Sequence, residues 1–330
     1  MMYEQTPKWL SFTQCSRWQQ LPLLIHERAF HWVFWYLHTL KIPSPRLGLA
    51  PFLVILVAAL VLSGCRNLMS RVTGGMANNL SVAMLNQDDP ETVREGLPAY
   101  LLMLDSFVTE SPEDVAMLSA AAELYAAFGV VFVDDPERAG RLTGRSFIYA
   151  QRALCSSNSS GCGLNGLHLQ EVAPRLMDMS TKDVAALYTF GLSWLAFIQA
   201  RAGDATALAQ LPQATMVMER TRELDPHYKA SQVELYLAVL NTIRPPALGG
   251  DFPAGKNHYE KALKLSGGRD LNIKVKFARY YARTLYDRDL HDRMLIEVLE
   301  ADPIQPNLTL ANTLAQREAQ VLLDSADDHF

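Results

Sequence analysis

Apolar residues recur along most of this chain at helical rather than strand spacing. Met117, Ala121, Leu124, Tyr125 and Phe128 share one side of a 3.6-residue wheel, as do Val233, Tyr236, Leu237 and Leu240, and later Phe277, Tyr280, Tyr281 and Leu285. Each set predicts an amphipathic helix with one buried face. The only strand-like run is "VVFV", Val130 to Val133; a lone strand has nothing to pair with, so it reads as the frayed end of a helix. Proline and glycine supply the punctuation in "TESPED" at 109–114, "RELDPHY" at 222–228, "KLSGGRD" at 264–270 and "LEADPIQP" at 299–306.

Aligning the helices that precede these turns gives offsets of about 41 residues from Leu224 to Leu265 and about 36 from Leu265 to Ala301. A helix pair repeating at that interval must stack on its neighbours to bury its apolar faces. The expected fold class is therefore all-α, an α-solenoid of degenerate tetratricopeptide-like helix pairs, with an irregular helical bundle as the alternative. The segment "GGDFPAGKNHYEKALKLSG", Gly249 to Gly267, is the clearest single unit: a Gly turn, a helix carrying Tyr259, Ala262 and Leu263, and a Gly stop.

The N-terminal part follows a different pattern. Leu47 to Leu62, "LGLAPFLVILVAALVL", carries no charge, follows Lys41 and Arg46, and is shorter than the roughly 20 residues a membrane-crossing helix needs. Basic flank, short apolar run and small-residue exit describe a secretory signal. Its last residues, Leu62-Ser63-Gly64-Cys65, match a bacterial lipobox, which predicts cleavage before Cys65 and lipidation of its sulfur; the alternative is an uncleaved signal anchor. The expected organisation is a leader and lipoprotein signal peptide over 1–64 and a helical domain over 65–330. Arg66 stands where an inner-membrane retention aspartate would sit, so the expected address is the periplasmic face of the outer membrane. About 45 residues precede the apolar run, long for a signal, and they contain four of the five tryptophans. Either this leader is real or translation starts near Leu40, with residues 1–39 a mis-called start. His26, His31 and His38 in the leader match no zinc spacing, and no metal or cofactor is expected.

Removing residues 1–64 leaves 266 residues with 25 Lys/Arg against 33 Asp/Glu, a net charge of −8. An acidic body with no basic stripe excludes nucleic acid as a partner. Cys155 and Cys162, spaced as "CSSNSSGC", form a local disulfide in an oxidising compartment or remain two unpaired thiols. Enzymatic function is not expected. "GCGLNG" at Gly161 to Gly166 has the spacing of a dinucleotide loop but lacks the preceding strand, so it reads as a flexible inter-helix loop. Glu171, Asp178, Asp183 and His168 are scattered and read as solvated faces. Aromatics in helices are the better candidates: Tyr188, Phe190, Trp194 and Phe197 on one helix, and Tyr236, Tyr280 and Tyr281 on later ones. They either line a groove for an apolar solute or a partner, or pack the core. Arg283 in "YYAR" is expected to pair with a carboxylate.

Several stretches, in this order, carry a family resemblance: "LNQDDPETVREGLPAYLLMLDSF" (Leu85 to Phe107), "VDDPERAGRL" (Val133 to Leu142), "PPALGGDFPAGKNHYEKALKLSGGRDL" (Pro245 to Leu271), "KFARYYART" and "DRDL" (Lys276 to Leu290), and "LTLANTLAQREAQVLL" (Leu308 to Leu323). Together they resemble the T component family of tripartite ATP-independent periplasmic (TRAP) transporters. The resemblance implies a periplasmic lipoprotein of tetratricopeptide-like helices that binds the solute-binding P component and forms a homo-oligomeric ring with a ligand-accessible channel. The chain departs from the family pattern in its long leader and at Phe252-Pro253, where a Pro-Glu pair is commoner. A general helical-repeat scaffold lipoprotein of the envelope, unconnected to transport, is the alternative.

Overall fold

The computed structural model describes residues 80–330. Cys65, the lipobox, the leader and its histidines lie outside the described residues. After a short helical stretch at 80–85 come α1 (Pro90–Glu110), α2 (Val115–Val131), α3 (Pro136–Ser157), α4 (Leu169–Met177), α5 (Val184–Gln199), α6 (Ala205–Leu208), α7 (Leu211–Leu224) and α8 (Ala230–Thr242). The chain continues through α9 (Phe252–Ser266), α10 (Asn272–Lys276), a π-helical turn (Phe277–Ala282), α11 (Arg288–Glu300), α12 (Thr309–Asp324) and α13 (Ala326–His329). No strand occurs among the described residues, and Val130 and Val131 close α2 as its last turn.

Local sequence explains most helix starts. Asp89, Asp114, Asp135, Asp204, Asp251 and Asp287 each cap a helix through the side chain, accepting backbone N–H groups that would otherwise lack partners. The twice-used "DDPE" adds a proline pre-set for the first turn and a glutamate that favours the N-terminal end of the dipole, in Pro90-Glu91 and Pro136-Glu137. Helix α9 ends on Gly267 at φ 61°, where an L side chain would be strained.

Many helices pack on a chain neighbour, α2 on α1 and α3, α8 on α7 and α9, and α12 on α11, while α5 packs on α2 and α3 as well as on α7. The largest apolar cluster joins Phe147 of α3, Leu187, Phe190 and Trp194 of α5, Val217 of α7 and Leu237 of α8. Tyr259, Ile273 and Phe277 extend it through α9 into the π turn, and Leu271, Val275, Leu295 and Ala315 finish the C-terminal end. A polar hub fastens the first three helices. Asp105 of α1 accepts hydrogen bonds from the hydroxyls of Tyr125 and Tyr149, both at 2.8 Å, and pairs with Arg145 at 2.8 Å.

The two ends of the described chain also meet. Asn307 donates its backbone N–H to Asn86 Oδ1 at 2.7 Å, Arg317 pairs with Glu91 at 3.2 Å, and Leu310 of α12 packs against the α1–α2 cluster of Val93, Leu97 and Phe128.

The third periodic set departs from its sequence reading. Phe277, Tyr280, Tyr281 and Leu285 were placed on one face by a 3.6-residue period, but the π turn over Phe277–Ala282 inserts a wider step. Phe277 is buried, Tyr280 and Tyr281 are half-buried, and Leu285 is exposed. Arg283 does not pair with a carboxylate either. It donates to the Leu322 carbonyl, the Ser325 hydroxyl and His291 Nε2, tying the π turn to the end of α12.

Cys155, in the last turn of α3, is bonded to Cys162 with a Cα–Cα distance of 4.4 Å. Single 3₁₀ turns at Ser159–Gly161 and Leu164–Gly166 shape the "GCGLNG" stretch, and Leu164 is fully buried in the core. Ellman titration of denatured, unreduced mature protein should find neither thiol free. Replacing both cysteines by serine should cost at most about 2.5 kcal/mol, the loop-closure entropy of so small a ring.

Candidate functional site

The scattered carboxylates accept hydrogen bonds from neighbouring donors, and for Asp183 the solvated-face reading is corrected. Asp183 is fully buried and accepts from Ser157, Asn158 and Ser180, which together hold its carboxyl below the usual range despite burial. Glu171 receives the His168 backbone N–H at the start of α4, and Asp178 accepts from Ser160.

The aromatic candidates divide. Phe190 and Trp194 have no exposed surface. The Trp194 ring lies 5.5 Å from Phe147 and 5.2 Å from Phe190 by centroids, and its indole N–H donates to Gln210 Oε1 at 2.7 Å. Phe197 packs on Phe147 at 5.1 Å and is covered by the Arg201 guanidinium, 3.8 Å above its ring. The groove reading of Phe190, Trp194 and Phe197 is therefore corrected to core. The α5 face at Phe190 and Trp194 is covered by α3 and α7, while Phe197 packs at the edge of this cluster and is partly buried. Tyr281 is likewise a packing residue, against Phe252 at 5.5 Å and Phe277 at 5.1 Å.

Tyr188 is also buried in the largest apolar cluster, so its groove reading is corrected to core as well, but Tyr188, Tyr236 and Tyr280 each stand beside charge. Tyr280 is half-buried next to Arg279, whose guanidinium pairs with Glu318 at 2.7 Å while Lys276 holds the same carboxylate at 2.8 Å. Tyr188 and Tyr236 belong to a tighter convergence of three helices. Glu123, from the middle of α2, accepts from the Thr189 hydroxyl of α5 at 2.7 Å and from Lys229 Nζ at 3.1 and 3.3 Å. The Lys229 ammonium sits 4.3 Å from the Tyr188 ring centroid and 5.9 Å from that of Tyr228. Tyr228 meets Tyr188 edge-on at 5.7 Å, and Tyr236 of α8 closes the other side of Tyr188 at 6.3 Å.

Lys229 occupies the left-handed region, φ 43° and ψ 41°, immediately before α8. A non-glycine residue there costs on the order of 1–3 kcal/mol. Its ammonium contacts and the α8 start offset that strain.

Burial pushes the Tyr188 phenol well above its ordinary value and Tyr236 up to about 12, so both stay neutral hydrogen-bonding groups. Tyr149 in the Asp105 hub is likewise raised to about 12, first by burial and then by its bond to Asp105. The unfolded chain releases these protons near pH 10, whereas the fold retains those of Tyr236 and Tyr149 to about 12 and that of Tyr188 above its ordinary range, so stability should fall as pH rises above 10. A spectrophotometric titration of the native protein should show tyrosinate absorbance lagging that of the denatured chain. Native phenols that all titrate near 10 would overturn this.

Sequence reasoning missed Glu123, Thr189, Tyr228 and Lys229. The one available signal was Glu123 itself, the single charge in "VAMLSAAAELYAAFGVV".

Against known proteins, the family model described as TRAP transporter T-component matches residues 86–330. An uncharacterized protein of Treponema pallidum (strain Nichols) is 23% identical over 265 residues, covering 74% of this chain and 81% of that protein.

Proposed function

The chain belongs to the TRAP transporter T-component family, a transport accessory rather than a known enzyme family, and from that premise we propose that it is an envelope lipoprotein that binds the solute-binding P component of a TRAP uptake system. The observation that carries this reading is the family match, which runs through almost every described residue, from the turn before α1 to the C-terminus. Three features support the finer parts. The lipobox at Leu62 to Cys65 supports a lipid anchor at Cys65 and an address on the periplasmic face of the outer membrane. The succession of helix neighbours supports reading the domain as tetratricopeptide-like pairs, an architecture whose surfaces commonly bind proteins. The acidic mature chain suits a protein partner and not nucleic acid. Binding of a solute by this chain itself, and assembly of several copies, belong to the same proposal.

Two measurements test it. Cys65→Ser should leave the precursor uncleaved or release the protein from membranes, and undiminished acyl labelling of that variant would remove the anchor. Titration of the mature chain with the P-type binding protein encoded beside it should show saturable association. Failure to associate in every solute condition, with both proteins folded, would count against the P-component assignment.

A further inference from the structure

The convergence around Glu123 has the composition of a cation receptor. One charge, the alkylammonium of Lys229, is shared between the Glu123 carboxylate, itself held by Thr189, and the π faces of Tyr188 and Tyr228, with Tyr236 packed against Tyr188. Aromatic faces and a carboxylate are the groups that recognise ammonium ligands, primary or quaternary.

Lys229 is also an unusual residue to find as a mere fastener. It is about one-third exposed along its side chain, so it can leave the box without unpacking anything, and it holds a left-handed backbone that glycine or asparagine would adopt more readily. A lysine stands in a conformation that glycine adopts without strain. What the lysine adds is the ammonium between Tyr188 and Glu123.

We propose that Glu123, Tyr188, Tyr228 and Tyr236 form a binding site for the ammonium group of a small amine ligand, and that Lys229 is its tethered occupant, displaced when the ligand enters. The site joins α2, α5 and the start of α8, so exchange of a tethered for a free cation changes what links three helices. Ligand affinity in the wild-type protein is lowered by the fraction of molecules in which Lys229 fills the box. Removing the lysine ammonium should therefore reveal the site. The inference rests on this geometry and stands or falls separately from association with a P component, because it concerns the chain alone.

The test uses the full mature chain and tetramethylammonium chloride, with sodium chloride at matched ionic strength as the baseline and 3,3-dimethylbutanol as an uncharged probe of similar shape. Lys229→Gly deletes the ammonium and suits the backbone at φ 43°. It should bind tetramethylammonium at least about tenfold more tightly than the wild type, read by calorimetry or by ligand NMR line-broadening. Adding Glu123→Gln to that variant should lose most of the gained affinity, and dimethylbutanol should bind neither variant comparably. Lys229→Met keeps the side-chain volume without the charge and provides the same comparison if the glycine variant melts early. Equal affinity in wild type and both Lys229 variants would overturn the proposal. So would binding that survives Glu123→Gln, or a neutral probe that binds as well as the cation.

Discussion

Trp194→Ala is expected to cost about 3 to 5 kcal/mol of folding stability while leaving the folded fraction's binding properties unchanged. The ring has no exposed surface, contacts Phe147 and Phe190 in the largest apolar cluster, and gives its only N–H to Gln210. Truncation removes the transfer energy of a large aromatic, leaves a cavity between α3, α5 and α7, and strips Gln210 Oε1 of its donor. A smaller change, Trp194→Phe, keeps most of the apolar volume and should lose much less. Denaturant melts beside a titration with the binding protein separate the cases. A variant as stable as wild type that binds a partner poorly would return Trp194 to a surface role.

Gly255→Ala should destabilise by about 3 kcal/mol, the upper part of the range for overpacking. A Cβ at Gly255 would lie 2.4 Å from Thr242 Cγ2 and 3.4 Å from the Ala238 carbonyl, so this glycine sets how closely α9 approaches α8. Thr242 has little room to yield, since its hydroxyl donates to the Ala238 carbonyl at 2.9 Å and meets the Tyr259 hydroxyl at 3.3 Å. Thr242→Ser removes the offending methyl and keeps the hydroxyl, so it should rescue much of the loss in a double-mutant cycle. Additive losses would show that the clash is not with that methyl. Gly250→Ala should be at least as harmful and should have no such rescue, because its Cβ would strike the backbone carbonyl of Arg244.

These two glycines show what the stretch "PPALGGDFPAG" encodes. Gly249 turns through φ 88°, Gly250 passes against the Arg244 carbonyl, Asp251 caps α9, and Gly255 admits α8. Local chemistry of that kind is readable in a sequence, as the Gly stop at "SGG" shows; the Asp caps of "DDPE" carry the same signal but were not read. The period of the apolar residues likewise identified helices and excluded sheet. It could not say which side of an all-apolar helix is covered. In "VAALYTFGLSWLAFIQ" apolar residues go almost all the way round, so the sequence leaves both groove and core open for Phe190, Trp194 and Phe197. Only the positions of α3 and α7 decide. The π turn was invisible for a related reason, because a 3.6-residue period was imposed on residues that step more widely. Glu123 and Lys229, 106 residues apart, are brought together by tertiary packing alone.

The meeting of Asn86 and Glu91 with Asn307 and Arg317 changes how the array should open. Stacked helices that touch only their neighbours behave as a linear chain of units, and such chains fray from both ends. Here the last long helix leans on the first, so the ends of the helix series are joined to each other. Closure across 221 residues adds little entropy cost beyond that of a shorter loop, since each doubling of length costs only about 0.6 kcal/mol. It does require every intervening unit to be in place first. Amide exchange in α1 and α12 should therefore be coupled, with loss of either helix exposing the other. In a closed circuit of this kind the ends become the last part to assemble and the first to report a disturbance anywhere along it.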